Sequence, residues 1–371
     1  MKARILFFLS SLAVGGAERQ SISLATELER RGYDCAFLCY HSKYAPAVIT
    51  DAVLSRTTFV NGRRTSSPFG AMKTWKAISR AAPDLLVAVG TAPLRLAAWG
   101  RMFRQCRTRI ICTYHTTVPT RAEKIPAVLF RWSVPLADCL VFVSERQRQY
   151  WELRGLRCRR VEVIHNGVDT SHFTAGASDR SAARRRLGFA EDDYVVGLLA
   201  TFRPEKNHLQ LVDAIAALRA RGIPAKALFA GDGRTRTSAE AHMSAKGIAE
   251  HVVFVGEQRD VRPVIAAMDV GVLCSVAVET LSLAALEIMA MGVPMVMSDI
   301  GGASEIVDDG VNGRLFPVGD TAALVEHLGA LTDLALRRSL AAAAVATVRR
   351  AFTAERMADR YEKLFQSLLG Q

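Results

Sequence analysis

The chain has 371 residues, half of them apolar and 23% charged, with a formal net charge of +12. That length suggests two or three domains and that composition a folded globular protein, which excludes a single small module and a disordered or low-complexity chain. Seven cysteines, an odd number with no Cys-x-x-Cys pair, give no support to a disulfide framework or a zinc site and read as reduced thiols in a reducing compartment.

The longest stretch free of Asp, Glu, Lys and Arg, Ile5 to Ala17, has 13 residues and is too short to cross a bilayer as a helix. Lys2 and Arg4 ahead of Ile5-Leu6-Phe7-Phe8-Leu9 imitate a secretory signal. A buried first strand is the preferred reading, because Ala17 leads straight into a helical pattern (Ile22, Leu24, Ala25, Leu28) ending at Arg31-Gly32. Strand, glycine turn and helix open a nucleotide-binding βαβ unit. Further apolar runs at Cys35–Tyr40, Leu85–Val89, Arg109–Tyr114 and Cys139–Val143 read as buried parallel strands between helices. The pattern breaks into a polar segment between Val161 and Asp179, the expected linker, and then restarts. Tyr194–Ala200, Ala225–Ala230, Val252–Val255, Val270–Cys274 and Pro294–Met297 are expected strands of a second sheet. Helices are expected around His208–Arg221, Arg262–Met268 and Leu283–Met291, and again from Ala335 to Leu369. An α/β protein of two doubly wound domains is thus expected, with a cleft between the carboxyl ends of both sheets, where open α/β sheets bind ligands.

The charge is uneven. Residues 1–170 hold 26 Lys and Arg against 12 Asp and Glu, a balance of +14, while residues 171–371 hold 22 against 24. Such asymmetry suggests that the first domain faces a polyanion, either nucleic acid or an anionic membrane surface. The clusters Arg101, Arg104, Arg107, Arg109 and Arg154, Arg157, Arg159, Arg160 lack the interleaved aromatics of single-strand stacking platforms, and solvated surface arginines fit either cluster alone. Arg121 to Leu136, with Ile125, Val128, Leu129, Phe130 and Trp132 among Arg121, Lys124 and Arg131, fits either a short interfacial segment or a helix packed on the first sheet. The expectation adopted is an anionic membrane and no nucleic acid.

Thr201-Phe202-Arg203-Pro204-Glu205-Lys206-Asn207-His208 leads from a strand end to a helix and places two cations at the carboxyl edge of the second sheet, a location that suits phosphate or a solvated loop. Glu279 and Glu287 are eight apart in a segment otherwise apolar or small, where carboxylates need partners. A hydroxyl-rich ligand would supply them, and so would neighbouring arginines. Ala230-Gly231-Asp232-Gly233 and the stretch Ser10 to Gly16 are glycine turns that permit close approach of backbone to ligand. Neither is Gly-x-Gly-x-x-Gly, which disfavours a dinucleotide-dependent dehydrogenase.

Gly15-Gly16-Ala17-Glu18-Arg19, Asn166-Gly167-Val168-Asp169, Arg203 with Lys206, Gly231-Asp232-Gly233, Glu279 with seven residues before Glu287, and Gly301-Gly302 with Glu305 together resemble the retaining glycosyltransferases of family 4 (group 1). The resemblance runs in order over nearly the whole chain. The Glu-x7-Glu element and the Arg-x-x-Lys loop about 75 residues before it are its specific parts. It implies the GT-B fold, two Rossmann-like doubly wound domains facing across a cleft. The expected bounds are 1–175 for an acceptor-binding domain, 176–350 for a nucleotide-sugar domain, and 351–371 for a helix crossing back to the first domain. It further implies that Arg203 and Lys206 neutralise the donor diphosphate, that Glu287 holds the ribose, and that Glu279 contacts the transferred sugar. Gly15 and Gly16 would lie beside the diphosphate and acceptor, with Gly231, Gly233, Thr280 and Leu281 also at the donor. His115, in Thr113-Tyr114-His115-Thr116, resembles the family's histidine beside that sugar, and an ordinary loop histidine is the alternative. Thr280 and Leu281 depart from the Gly or Ser and aromatic that many relatives carry there. No Asp-x-Asp occurs in the chain, so no metal or other cofactor is expected. The implied reaction is metal-independent transfer from a nucleotide-diphosphate sugar, commonly a uridine one, to a lipid-linked or cell-envelope glycan at the cytoplasmic face of the membrane. A non-catalytic nucleotide-sugar-binding subunit of a glycan-assembly complex is the alternative.

Overall fold

The computed structural model of the chain describes residues 2–13, 15–44, 49–62, 67–105, 108–116, 124–176, 178–277 and 279–370. The chain divides into two units, Met1–Gly167 together with Ala354–Gln371, and Val168–Thr353. The first division falls eight residues before the one expected from the linker's composition. The polar stretch after Val161 contributes one more strand to the first sheet, and Val168 instead bridges Thr353 in the second unit.

In the first unit, β1 (Arg4–Leu9), α1 (Gly16–Arg30), β2 (Asp34–Cys39), α2 (Asp51–Leu54), β3 (Thr57–Phe59), α3 (Pro68–Ala81) and β4 (Leu85–Val89) are followed by α4 (Thr91–Met102), β5 (Arg109–Tyr114), α5 (Lys124–Ser133), β6 (Cys139–Phe142), α6 (Glu145–Glu152) and β7 (Val161–Val163). The strands form one parallel sheet of order β3-β2-β1-β4-β5-β6-β7. Strand side chains alternate between faces, and β1 shows what that does here. Ile5, Phe7 and Leu9 enter one buried cluster with Leu24, Leu28 and Phe37. Leu6 and Phe8 enter another with Ile78, Leu96, Phe130 and Trp151. Helix α1 therefore covers one face and α3 to α6 the other. Ile5–Leu9 is central sheet core.

In the second unit, α7 (Arg180–Leu187), β8 (Tyr194–Leu199), α8 (His208–Ala220), β9 (Ala225–Ala230), α9 (Arg236–Ala245), β10 (Val252–Phe254), α10 (Arg262–Ala267) and β11 (Val270–Leu273) are followed by α11 (Leu283–Ala290), β12 (Met295–Ser298), α12 (Ala303–Ile306), β13 (Gly313–Phe316), α13 (Thr321–Ala330) and α14 (Leu334–Ala351). Its parallel sheet has the order β10-β9-β8-β11-β12-β13. The last helix, α15 (Ala354–Leu369), belongs to the first unit: Met357, Ala358, Tyr361, Leu364 and Phe365 complete the α1 side of its core. Both units are Rossmann-like.

Six cysteines are free thiols, five of them buried and Cys158 partly so, while Cys106 lies outside the described residues. Burial raises the Cys35, Cys39 and Cys139 thiols to about 12, which keeps them protonated and unreactive. Parts of the arginine clusters are structural. Arg101 and Arg109 donate to Asp138 at 2.6 and 3.4 Å, and Arg160 donates to Glu162 at 2.9 Å. Arg107 and Arg121 lie outside the described residues, as do the side chains of Lys124 and Ile125.

Candidate active site

Doubly wound sheets expose loops at the carboxyl ends of their strands, and in the second unit this edge gathers most of the candidate residues. The loop after β8 is anchored by Phe202, fully buried, whose ring stacks on His208 at 3.9 Å and 16° and packs near Phe229 and Phe254. Burial lowers the His208 imidazole to about 4, so the ring beneath the loop is neutral at pH 7. A single 3-10 turn, Pro204–Lys206, follows, and Asn207 takes a left-handed φ of 46° to enter α8. This geometry leaves Arg203 exposed and, among the described residues, without an ion-pair partner.

Lys206 turns inward. Its Nζ donates to Oε2 of Glu279 at 2.6 Å, with side-chain exposures of 23% and 8%. Ser275, two residues beyond the end of β11, donates its Oγ hydrogen to the same carboxylate oxygen at 2.8 Å and lies 3.5 Å from Lys206 Nζ. Two backbone ties hold the arrangement: Val276 N–H donates to the Glu205 carbonyl at 2.9 Å, and Ser298 Oγ donates to the Ser275 carbonyl at 2.7 Å. Sequence reasoning missed Ser275. A small polar residue directly after the buried run Val270-Gly271-Val272-Leu273-Cys274 was the available signal.

Glycines bring these loops into register. A Cβ on Gly301, at φ +56°, would sit 1.6 Å from the Glu279 carbonyl oxygen, and Gly302 N–H donates to that oxygen at 3.2 Å. Gly231 and Gly233, at φ +128° and +151°, lie against the backbone of Ala200 and Phe202, where a Cβ would meet carbonyl oxygens at 2.2 and 2.5 Å. Their freedom serves the seating of the β9 loop against the loop that carries Arg203 and Lys206. Thr280 and Leu281 are buried between Glu279 and α11, whose first turn is capped by Ser282 Oγ accepting from Ala285 N–H at 3.2 Å. Glu287 is buried in the second turn of α11, 3% exposed.

Gly15, Gly16 and His115 belong to the first unit, at the carboxyl edge of its own sheet. Gly15 precedes α1 and Gly16 opens it. A Cβ on Gly15 would strike the Glu18 carboxylate at 2.2 Å, whereas one on Gly16 would meet nothing within 4 Å. His115 follows β5, two strand spacings from β1 in the sheet order, roughly 10 Å. The backbone around it is pinned. Gln147 Nε2 donates to the carbonyls of Tyr114 and Thr116 at 2.7 and 3.1 Å, and Trp151 Nε1 donates to Thr116 at 2.9 Å. The residue keeps some exposure, yet its Nε2 is shut off from solvent, and burial lowers its imidazole to about 4. His115 is therefore a neutral imidazole at pH 7. Among the described residues no group of three or more His, Cys, Asp or Glu side chains is arranged to hold a metal ion.

Comparison with known proteins places this geometry. Residues 14–172 match Glycosyltransferase Family 4 and residues 193–333 match Glycosyl transferases group 1, between them most of the chain. The chain belongs to the family 4, group 1 glycosyltransferases. EpsD of Bacillus subtilis (strain 168) is 31% identical over 249 residues, covering 65% of this chain and 64% of that one. The N-acetyl-alpha-D-glucosaminyl L-malate synthase of Bacillus anthracis is 26% identical over 266 residues, covering 71% and 69%. The match thus spans about two thirds of the length of these relatives. Among solved structures, HepE of Anabaena in complex with UDP and glucose superposes with a TM-score of 0.85 at 23% identity, covering 98% of this glycosyltransferase-family chain and 100% of that one. Sucrose-phosphate synthase from Thermosynechococcus elongatus gives 0.83 at 20% identity, with both chains fully covered. These structural likenesses show the GT-B fold.

Proposed function

We propose that this chain is a retaining glycosyltransferase that moves a sugar from a nucleotide-diphosphate sugar, a UDP-sugar, to a lipid-linked or cell-envelope glycan, without a metal ion. The observation that carries the reading is the Lys206–Glu279–Ser275 cluster beside the exposed Arg203. Departure of the nucleotide builds negative charge on the diphosphate, and a cation about 4 Å from that oxyanion contributes about 4 kcal/mol at an effective dielectric near 20. About 1.4 kcal/mol is tenfold in rate, so one well-placed cation is worth about a thousandfold before desolvation is counted. Arg203 offers an unengaged planar fork to phosphate oxygens. Lys206 has three N–H donors and gives one to Glu279, so it can hold that carboxylate and a phosphate oxygen together.

Glu279, oriented by Ser275 and Lys206, faces the transferred sugar in this reading, and Glu287 holds the ribose hydroxyls. The neutral His115 acts as a hydrogen-bond partner to the sugar. Attack occurs from the leaving-group face through an oxocarbenium-like transition state, with no glycosyl-enzyme intermediate. The UDP bound in the HepE complex supports the donor type, and the missing Asp-x-Asp supports cation-based rather than metal-based neutralisation.

The acceptor side rests on the outer surface of α3 to α6. Phe69 and Met72 on α3, Met102 and Phe103 at the end of α4, Val128 and Trp132 on α5, and Leu153 after α6 are all more than half exposed, Trp132 at 78% and Leu153 at 86%. They are interleaved with the exposed cations Lys73, Lys76, Arg104, Arg131 and Arg154. Basic residues near an anionic surface contribute about 1 kcal/mol each, and exposed aromatic and aliphatic tips enter the interface. No helix among the described residues is long and apolar enough to cross a membrane. The proposal is reversible docking at the cytoplasmic face.

Screening the full chain against a panel of nucleotide sugars, with and without a chelator, tests the donor reading through nucleoside-diphosphate release. Vesicle sedimentation tests the docking: binding requires anionic lipid, falls with salt and weakens in Trp132→Ala. Equal sedimentation with neutral vesicles, or none with anionic ones at low salt, removes the membrane from the account.

A further inference from the structure

A second cluster of charge lies at the other edge of the second sheet. Asp269 stands just before β11, while Ser275 stands just after it, so at about 3.3 Å per residue the two edges are roughly 20 Å apart. Around Asp269 is a cavity of about 380 Å³ lined by Arg180, Met268, Met291, Arg337 and Arg338 among others, a size typical of small-molecule sites. One face of α14, Leu334, Arg337, Arg338 and Ala341, lines one side of it, at the spacing that a single helical face requires.

The charges in this cavity do not balance. Asp269 accepts from Arg184 Nη2 at 2.6 Å and Arg180 Nη2 at 2.7 Å, with Arg337 Nη2 at 3.3 Å. One carboxylate thus faces three guanidinium groups, and Arg338, exposed at the cavity wall, has no acidic partner among the described residues. The cavity lining holds Arg180, Arg337 and Arg338 against Asp269, a net charge of +2, while the fully buried Arg184 pairs with the same carboxylate from behind. Arg184 is consumed by structure, since its remaining donors go to the carbonyls of Ala267, Ala190, Glu191 and Asp193. Arg337 gives one further bond, from Nη1 to the Leu331 carbonyl at 3.0 Å, and keeps three N–H groups; Arg338 keeps its whole fork. Burial lowers the Arg180 guanidinium below its ordinary value, opposed by Asp269 and reinforced to a smaller extent by Arg184 and Arg337.

We propose that this cavity binds a phosphorylated small molecule, with Arg337 and Arg338 gripping its phosphate and Met268 and Met291 covering its less polar part. Forked guanidinium groups match phosphate oxygens two at a time, and a group carrying two or more negative charges offsets the excess that a single carboxylate leaves. The site is distinct from the donor loops and does not depend on what they bind.

The test uses the full chain with Arg203→Ala and Lys206→Ala, so that the probe, inorganic pyrophosphate, is not held at the donor loops. At constant ionic strength, calorimetric titration is expected to show one saturable equivalent, and the unfolding temperature is expected to rise with pyrophosphate. Adding Arg338→Glu weakens the affinity at least tenfold. Adding Arg350→Glu, the same charge change at an exposed position on α14 away from the cavity, leaves it within twofold. Absence of stoichiometric binding, or equal weakening by both charge reversals, overturns the proposal.

Discussion

Asp269 and Glu279 are both buried carboxylates of the second unit and both are paired with cations, at opposite edges of one sheet. They differ in what the cations do with their other donors. Around Asp269, Arg184 is fully buried and engages all three of its nitrogens with carbonyl oxygens or with the carboxylate, which also takes the Val195 N–H at 2.8 Å. That arrangement ties α7, α10 and the starts of β8 and β11 together. Around Glu279 there is one lysine and one hydroxyl, next to an arginine left exposed. The saturated Arg184–Asp269 pair is a lock, with the spare donors of Arg337 and Arg338 on the cavity side of it, whereas the Lys206–Glu279 pair is itself unsaturated at the carboxyl edge of a doubly wound sheet, a place for a ligand.

The largest effect tests the lock. Asp269→Ala leaves a buried guanidinium uncompensated and is expected to lower stability by about 3–5 kcal/mol in denaturant unfolding, while the folded fraction keeps its turnover. Lys206→Ala and Arg203→Ala make the complementary case. Each is expected to lower turnover by up to about a thousandfold; Arg203→Ala leaves stability within about 1 kcal/mol, while Lys206→Ala adds the cost of leaving the buried Glu279 carboxylate with Ser275 as its remaining partner. Stability loss without a kinetic defect in those two variants would erase the distinction between the clusters.

A finer cut goes through the backbone. Gly301→Ala forces a side chain into the Glu279 carbonyl and strains a left-handed φ, so its expected cost exceeds the about 1–2 kcal/mol of the φ strain alone. Because the displaced residue is Glu279, the variant is expected to lose turnover beyond that seen for an alanine at Gly16, where the space is open. Acid probes the two buried imidazoles. His115 and His208 are held near 4, below the ordinary value of about 6.5, so the unfolded chain binds more protons between those limits. Their contribution to stability is complete above pH 6.5 and is lost as pH falls toward 4, with a slope approaching about 1.4 kcal/mol per pH unit for each histidine. Urea unfolding at pH 7.5, 6 and 5 reads this slope, and replacing His208 with Phe should remove one of the two components.

The central strands were legible because parallel strands buried on both faces read as continuous apolar runs, and Leu85–Val89, Arg109–Tyr114 and Ala225–Ala230 fall where the runs do. The strands that escaped are β3, β7 and β13, all at sheet edges and three or four residues long. Val161–Val163 is only partly buried, and its polar surroundings read as linker. At the candidate site the charged residues stood out because acids and cations are conspicuous in apolar sequence. Their pairing did not, because Lys206 and Glu279 meet only through the adjacency of β8 and β11, strands with two others between them in the chain. Ser275 was hidden for the same reason. The glycines were legible as glycines, but Gly231, Gly233 and Gly301 are required by neighbouring loops rather than by a turn of their own.

The central claim is that Arg203 and Lys206 neutralise a departing nucleoside diphosphate without a metal ion. Its most direct test is the rate of UDP release from a panel of UDP-sugars, measured with excess chelator for the parent chain and for Lys206→Ala. The account predicts release by the parent chain from at least one UDP-sugar, unchanged by chelator, and at least a hundredfold slower release in the variant at equal folded concentration. Chelator-abolished release restored by magnesium or manganese, or parental rates in Lys206→Ala, would contradict it.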